Sequence, residues 1–442
     1  LCAIFIINSL LIYILNSVSM IAPARTIQSK HFGLIFVLLF LSCASIPSSA
    51  NYKFDQDIRQ DDIYEHIKYL SSDVLEGRYP GTKGSQLAID YISYHFKKNK
   101  ILPFGDDGYL QFFDFSNFNK ETISVPNVVG LIPGTSLKDE YIVIGAHFDH
   151  LGYGGPHSGS LEMNSKEIHN GADDNASGVA GILELASKLS QNQGQNKRSI
   201  VVIAFNAEEQ GIFGSKYFSN NFDFKNGKIV TMINLDMIGR LRNLNLNVMG
   251  TGTSPIFDKI LDKAAAKHFL NISKNPEGFG PSDHSSFYVN DIPVLSFFTG
   301  AHTDYHKPND DIEKINSSGQ LKVVKMIYDV ITDIDDNDSP PQFTEAGPKS
   351  SKSTGMVRLK VTFGFMPSYS SAGNGLGVDG VRADGPAGKA GLKKGDVIVE
   401  INGSAVKDIY GYMTILEKLK PGESSNVKLL RDNKEKLITI NH

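Results

Sequence analysis

This chain has almost no cysteine. Its 442 residues include two, Cys2 and Cys43, both in the N-terminal region. The part that reads as folded therefore has no disulfide and no thiolate metal site, so any metal there must be held by His, Asp and Glu. An excess of one charge is also missing. Lys and Arg number 44 against 48 Asp and Glu, a net charge of -4, and no basic stripe is visible. That balance makes no electrostatic case for nucleic acid as a partner. Even the apolar run at 33–41 falls short of the ~20 residues that a membrane-spanning helix needs.

The N-terminus reads as a targeting segment rather than as part of a fold. From Met20, the basic Arg25 and Lys30 precede the apolar "FGLIFVLLFL" and then small residues, the order of a signal peptide. Residues 1–19 are also apolar and read as an extension upstream of the true start, with a transmembrane segment as the alternative. Export is the expectation, to the periplasm, the cell envelope or the medium. Cys43 in "FLSCAS" stands where a lipoprotein signal places its acylated cysteine, although Phe40 and Leu41 fit that consensus imperfectly. A lipid at Cys43 is the one membrane attachment expected.

The composition is that of a globular protein, 41% hydrophobic and 21% charged. The length exceeds the ~250–300 residues at which one core stops growing, so more than one domain is expected. Residues 60–100 show helical periodicity in "DDIYEHIKYLSS" and "GSQLAIDYISYHFKKN", with the loop "GRYPGTKGS" between. Strands and helices then alternate from "YIVIGAHF" to "SGQLKVVKMIYDVITDI". Near-continuous apolar strands separated by amphipathic helices predict an α/β fold with a mostly parallel sheet sandwiched by helices. In such folds ligands sit beyond the carboxyl ends of the strands. The Pro-, Ser- and Gly-rich stretch 335–355 reads as a linker. The expected divisions are 1–50 as signal region, 51–334 as the main domain, 335–355 as linker and 356–442 as a small, mainly β domain.

Chemistry-bearing residues gather at the strand ends. "IGAHFDH" supplies His147 and Asp149, and "NGADDNASG" puts Asp173 and Asp174 at the start of a helix. "FNAEEQG" supplies Glu208 and Glu209, "INLDMIG" Asp236, and "TDYHKPND" His306. Singly, each has an ordinary reading as a helix N-cap, a core histidine, a turn residue or a solvated pair. Together they are costly without a cation, because like charges in one cleft raise each other's pKa and destabilise the fold. A pair of divalent ions removes that cost. Two histidines with several carboxylates suit zinc or a similar borderline cation.

The stretches "GAHFDH", "NGADDNASG", "AEEQG", "NLDMIG" and "DYHKP" occur in the order and approximate spacing of a known family. Over about residues 60–335 the chain resembles the co-catalytic zinc exopeptidases of the bacterial leucyl aminopeptidase and aminopeptidase Y type. The resemblance implies two zinc ions bridged by Asp173. His147 and Asp236 would complete one, and Glu209 and His306 the other. Glu208 would be the general base, taking a proton from a water shared by the metals and returning it to the leaving amine. Asp149 would hold His147 in its metal-binding tautomer, and Asp174 would shape the backbone beside the bridge. Substrates would be peptides with a free N-terminus, whose α-amino group one zinc receives. Met237, Asp283, His284 and Tyr305, with His302 and Asp304, would be substrate or neighbouring contacts. The protease-associated insertion of several relatives is absent, and the disulfide of some secreted ones is impossible.

Residues 356–442 resemble a PDZ domain of the bacterial protease type, most clearly in "GPAGKAGLKKGDVI". Phe363, Gly364 and Phe365 match the loop that cradles a peptide C-terminus, where an extended ligand adds to a sheet edge. The alternative is a PDZ domain that only packs against the peptidase. For the whole chain the leading reading is an exported di-zinc aminopeptidase. A carboxypeptidase of the same fold and a non-catalytic peptide-binding protein are the alternatives. Glutaminyl cyclases share the fold but bind one zinc and drop part of the ligand set.

Overall fold

The computed structural model describes residues 52–116, 120–155, 158–162, 164–221, 227–349, 361–367, 375–381, 385–407, 409–416 and 418–442. The signal-region expectations, Cys43 included, lie outside the described residues. Among the described residues no helix is long and apolar enough to cross a membrane.

The apolar runs have their explanation in two-sided burial. Strands β4 (Leu137–His147) and β5 (Arg198–Phe205) lie side by side and parallel. Ile142, Ile144, Ile200, Val202 and Ala204 face one core, while Val143, Val201, Ile203 and Phe205 face a second core across the sheet. Period-two alternation persists, but both sets are apolar because both faces are covered. A fully buried Val or Ile side chain contributes about 1.5–3 kcal/mol, which makes these strands a rigid base for the loops that follow them.

Ahead of β4 run β1 (Leu102–Pro103), β2 (Leu110–Ser116) and β3 (Thr122–Ile132). After β5 come β6 (Lys228–Leu235), β7 (Asn245–Met249), β8 (Asn271–Asn275) and β9 (Val294–Phe298). The nine-stranded sheet has the order β1-β3-β5-β4-β6-β9-β7-β8, with β2 on β3. Its centre, β5-β4-β6-β9, is parallel, while β3 and β7 pair antiparallel at the flanks. The antiparallel β1–β3 segment carries no strand–helix alternation and is an addition to the sequence reading. One face is covered by α1 (Gln60–Leu70), α2 (Lys83–Lys98), α3 (Gly178–Gln191), α5 (Phe257–His268) and α7 (Ser317–Asp336). The other holds α4 (Phe213–Asn221) and the short α6 (His284–Tyr288). The chain passes from β4 to β5 on one side and then to β6 on the other. That reversal opens a crevice at the carboxyl end of β4, the position at which such sheets bind ligands.

The stretch expected as a linker is partly anchored. Helix α7 continues through Asp336. The buried Arg198 guanidinium then takes the carbonyls of Ile334, Asp335 and Asn337 at its end. Further on, Thr344 N–H donates to the Thr253 carbonyl, and the Tyr288 hydroxyl donates to Gly347. These contacts hold 340–349 against the main domain, because the segment's backbone groups find partners there.

The C-terminal domain is an antiparallel sheet of β10 (Phe365–Pro367), β11 (Leu376–Val381), β12 (Val397–Ile401), β13 (Ser404–Ala405), β14 (Ser424–Arg431) and β15 (Lys434–Asn441). Helices α8 (Pro386–Lys389) and α9 (Ile409–Leu416) complete it. Its order β10-β11-β12-β14-β15 leaves β10 at an edge. Phe363 is fully buried, and its carbonyl accepts from Ala387 at 2.7 Å. Gly364 adopts φ 72°, a conformation that suits glycine, and the Phe365 ring rests 5.1 Å from Tyr412 on α9.

Candidate metal centre

Each parallel strand at the sheet centre delivers its polar residues to the same edge. His147 is the last residue of β4, Glu208 and Glu209 follow β5, Asp236 follows β6, and His306 lies on the loop after β9. The turn leading into α3 brings Asp174 beneath them. Gly171 makes that turn possible with φ 55°, since a Cβ there would lie 2.1 Å from the Asp174 carbonyl oxygen.

The histidine tautomers follow from their outer partners. His147 Nδ1 lies 3.2 Å from the Asp149 carbonyl, which can only accept, so Nδ1 carries the proton. His306 Nδ1 is placed likewise, 3.0 Å from the Gly159 carbonyl. Both Nε2 lone pairs therefore point inward, the arrangement of a metal ligand. His147 Nε2 is 3.4 Å from Asp174 Oδ1 and 3.6 Å from Asp236 Oδ1. His306 Nε2 is 3.2 Å from Asp174 Oδ2 and 3.1 Å from Glu209 Oε2. Asp174 thus offers one oxygen to each half of the centre.

This exchanges the expected roles of two neighbours. Asp173, expected at the bridge, turns away: its Oδ1 accepts from Gly239 N–H at 2.7 Å and from the Ser177 hydroxyl at 3.1 Å. Asp174, expected to shape the backbone, takes the bridging place. The cause is local. Asp174 has φ -105° and ψ 91°, outside the helical region, and successive side chains on such backbone point to opposite sides. Sequence adjacency conceals that divergence.

His150 was not expected in the site. Its Nδ1 lies 2.8 Å from Glu209 Oε1, and with Asp174 and Glu209 it forms one potential metal-holding group, beside that of His147, Asp174 and Asp236. The signal was present in "HFDH", a second histidine on the turn that follows the strand. Asp149 reaches His147 through its backbone carbonyl rather than through the carboxylate expected to hold it. Its carboxylate is 3.8 Å from His147, and instead it accepts the N–H groups of Glu208 and Glu209 at 3.0 and 3.3 Å.

The two adjacent glutamates sit in opposite electrostatic surroundings. Burial raises the pKa of each carboxyl, but for Glu209 the facing His306 and His150 outweigh it and hold the group at about 2. Glu208 is pushed well above its usual range by burial, with the charges of Asp283, Glu209 and Asp236 adding to it against His147. The two neighbouring carboxyls are thus pushed in opposite directions, Glu209 down and Glu208 up, as pairs with separate acid–base tasks are.

Several expected contacts are instead beneath the site. Met237, Asp283 and His284 are 4%, 0% and 1% exposed, about as buried as His147 at 1%. Their segments turn in under the strand ends: Met237 N–H donates to Asn175 Oδ1, and its carbonyl accepts from Thr299. Burial pushes the His284 imidazole down to about 3 and the Asp283 carboxyl up to about 7. Tyr305 is half-buried with its ring stacked on His306, 3.8 Å between centroids. His302 Nε2 stands 3.2 Å from Asp173 Oδ2, and Asp304 pairs with Arg240 at 2.7 Å. Behind all of these, the buried Arg78 donates to the carbonyls of Leu70, Phe148, Asn170 and Gly171, bracing two ligand loops from the stretch read as a plain loop.

The residues fit zinc. Buried His150 Nε2 and Asp236 Oδ1 have no hydrogen-bond partner, although His150 Nδ1 is held by Glu209. Inward donors lie 3.1–3.6 Å apart, close to the ~3.3–3.5 Å edge of a tetrahedron with zinc–ligand bonds of ~2.0–2.2 Å. Without a cation, burial lowers the His147 and His306 pKa, but the surrounding carboxylates win and raise both well above normal. Protons then balance a charge set that a divalent ion would balance instead.

Comparison with known proteins agrees with this geometry. Residues 127–331 match Peptidase family M28, and residues 357–441 match the PDZ domain. The chain is 28% identical over 287 residues to leupeptin-inactivating enzyme 1 of Streptomyces exfoliatus, covering 63% of this chain and 58% of that one. It is 25% identical over 282 residues to aminopeptidase YwaD of Bacillus subtilis (strain 168), covering 60% and 56%. It therefore spans under two thirds of either relative. A Bacteroides thetaiotaomicron glutaminyl cyclase bound to N-acetylhistamine shares the fold, with TM-score 0.53, 21% identity, and 62% and 98% of the two chains covered.

Proposed function

The chain carries a domain of Peptidase family M28 joined to a PDZ domain, and from that premise we propose that it is an exported di-zinc aminopeptidase removing the N-terminal residue of peptides. The observation that carries the reading is the Asp174 carboxylate shared between two half-sites, with Glu208 beside them and its Oε2 3.9 Å from His147 Nε2. His147, Asp174 and Asp236 would hold one zinc, and Asp174, Glu209 and His306 the other, with His150 orienting Glu209. Zinc held there would polarise the scissile carbonyl and acidify water. Glu208 takes the nucleophile's proton on its carboxylate and returns it to the leaving amine nitrogen. Asp149 keeps the Glu208 backbone still while that proton moves. With their Nδ1 protons committed to carbonyls, His147 and His306 would each present Nε2 to zinc.

The completeness of both half-sites supports a hydrolase over a one-zinc cyclase, and the retained Glu208 supports it over a protein that only binds. A carboxypeptidase would use the same residues, so the substrate end is decided by assay. Peptides with free and with blocked N-termini are compared, with and without chelator. Cleavage limited to free N-termini and abolished by chelation is expected. Cleavage of N-blocked peptides with a free C-terminus would end the aminopeptidase reading, and activity surviving complete metal removal would end the zinc mechanism. The β10 edge beside Phe363, Gly364 and Phe365 is proposed to take an extended peptide C-terminus.

A further inference from the structure

We infer that Asp310 is a positioning residue that aims the bridging Asp174, and that it ties this aim to the arrival of His306. The inference rests on the metal-centre reading above. Asp310 is fully buried, four residues beyond His306 on the loop after β9. Its Oδ2 accepts the N–H groups of both Asp173 and Asp174 at 3.0 Å, and its own carbonyl accepts Ala172 N–H at 2.8 Å. Three consecutive backbone donors thus end on one residue. They belong to the stretch whose non-helical backbone sends Asp173 and Asp174 in opposite directions.

The clamp is itself fixed. Arg240, four residues after the ligand Asp236, donates from Nη2 to Asp310 Oδ1 at 2.6 Å and from Nη1 to Asp304 Oδ2 at 2.7 Å. Asp304 in turn accepts from Lys314 at 2.8 Å. A guanidinium held between two carboxylates has a rigid fork, so Asp310 has little freedom to swing. The loop after β9 therefore supplies a ligand, His306, and the brace for the carboxylate that both half-sites share. If the loop shifts, one half-site loses its histidine and both lose the aim of Asp174. Buried partners that orient ligands in this way are worth about 10–100-fold in metal affinity.

The test is zinc affinity, read by chelator competition on the full chain, with cobalt absorption spectra as a second signal. Asp310→Asn keeps the volume but loses the charge that Arg240 holds, and turns an amide N–H towards backbone donors. It is expected to bind zinc 10- to 100-fold more weakly and to show an altered cobalt spectrum, with circular dichroism unchanged. Arg240→Lys keeps Asp310 but removes the fork, and is expected to give a smaller loss in the same direction. It decides alone if Asp310→Asn does not fold. A merely structural Asp310 would lower the unfolding temperature and leave zinc affinity within threefold, which overturns the inference while the wild type still binds two ions. A wild type that takes up no zinc overturns the metal-centre reading itself.

Discussion

Asp149 Oδ1 accepts the backbone N–H of Glu208 at 3.0 Å, so a carboxylate from the loop after β4 fixes the turn after β5. The Glu208 backbone is therefore held beside the centre, and the proposed mechanism makes its side chain the base rather than a ligand. Glu208→Gln is expected to keep both ions by elemental analysis and to lose about 10²–10⁴-fold in turnover, the usual worth of a general base. Glu209→Gln is expected to lose metal as well as turnover. Near-normal rates in Glu208→Gln would remove it as the base.

The divergence of Asp173 and Asp174 gives a second comparison. Asp174→Asn weakens one shared ligand and should lower the uptake of both ions. Asp173→Asn should keep them, because its carboxylate serves Gly239 N–H and Ser177 rather than the inward cluster. Zinc titration of the two variants separates them. Loss of both ions from Asp173→Asn alone would restore the assignment suggested by the motif.

Arg78 is nearly inaccessible, and its guanidinium ends on four carbonyls. Arg78→Met keeps much of the volume and leaves those acceptors without donors in a dry interior. A stability loss of about 3 kcal/mol or more is expected by denaturant unfolding. Zinc affinity should fall too, since Phe148 and Gly171 flank ligand loops.

Away from the centre, burial raises the Glu184 carboxyl to about 8 and drives the neighbouring His66 well below its normal value. Their 3.5 Å contact is thus between neutral groups rather than an ion pair. The folded state holds a proton on Glu184 that the unfolded chain releases near pH 4.5. That contribution is complete below pH 4.5 and is lost as the pH rises through about 8. Glu184→Gln should flatten the fall in stability between pH 5 and 8. An unchanged slope in the variant's thermal unfolding would mean that Glu184 is ionised in the fold.

Much of the site was legible because a parallel sheet turns sequence order into spatial order. Apolar runs fixed the strands, and the residue after each run was bound to arrive at one edge. His147, Glu208, Glu209, Asp236 and His306 could be gathered on that argument alone. The antiparallel strands β1–β3 escaped it, since strands on short connections carry no alternation with helices.

What the sequence alone determined was therefore most of the set of residues: His147, Asp174, Glu208, Glu209, Asp236 and His306 were gathered from it, and His150 was not. Tertiary structure decided their division of labour. Asp174 rather than Asp173 faces both histidines because a non-helical turn splits two adjacent side chains. His150 joins because a loop folds back on Glu209, and Asp310 braces the bridge from 136 positions further along the chain. Side-chain direction and long-range contact depend on backbone angles and packing, which a string of residue types does not carry.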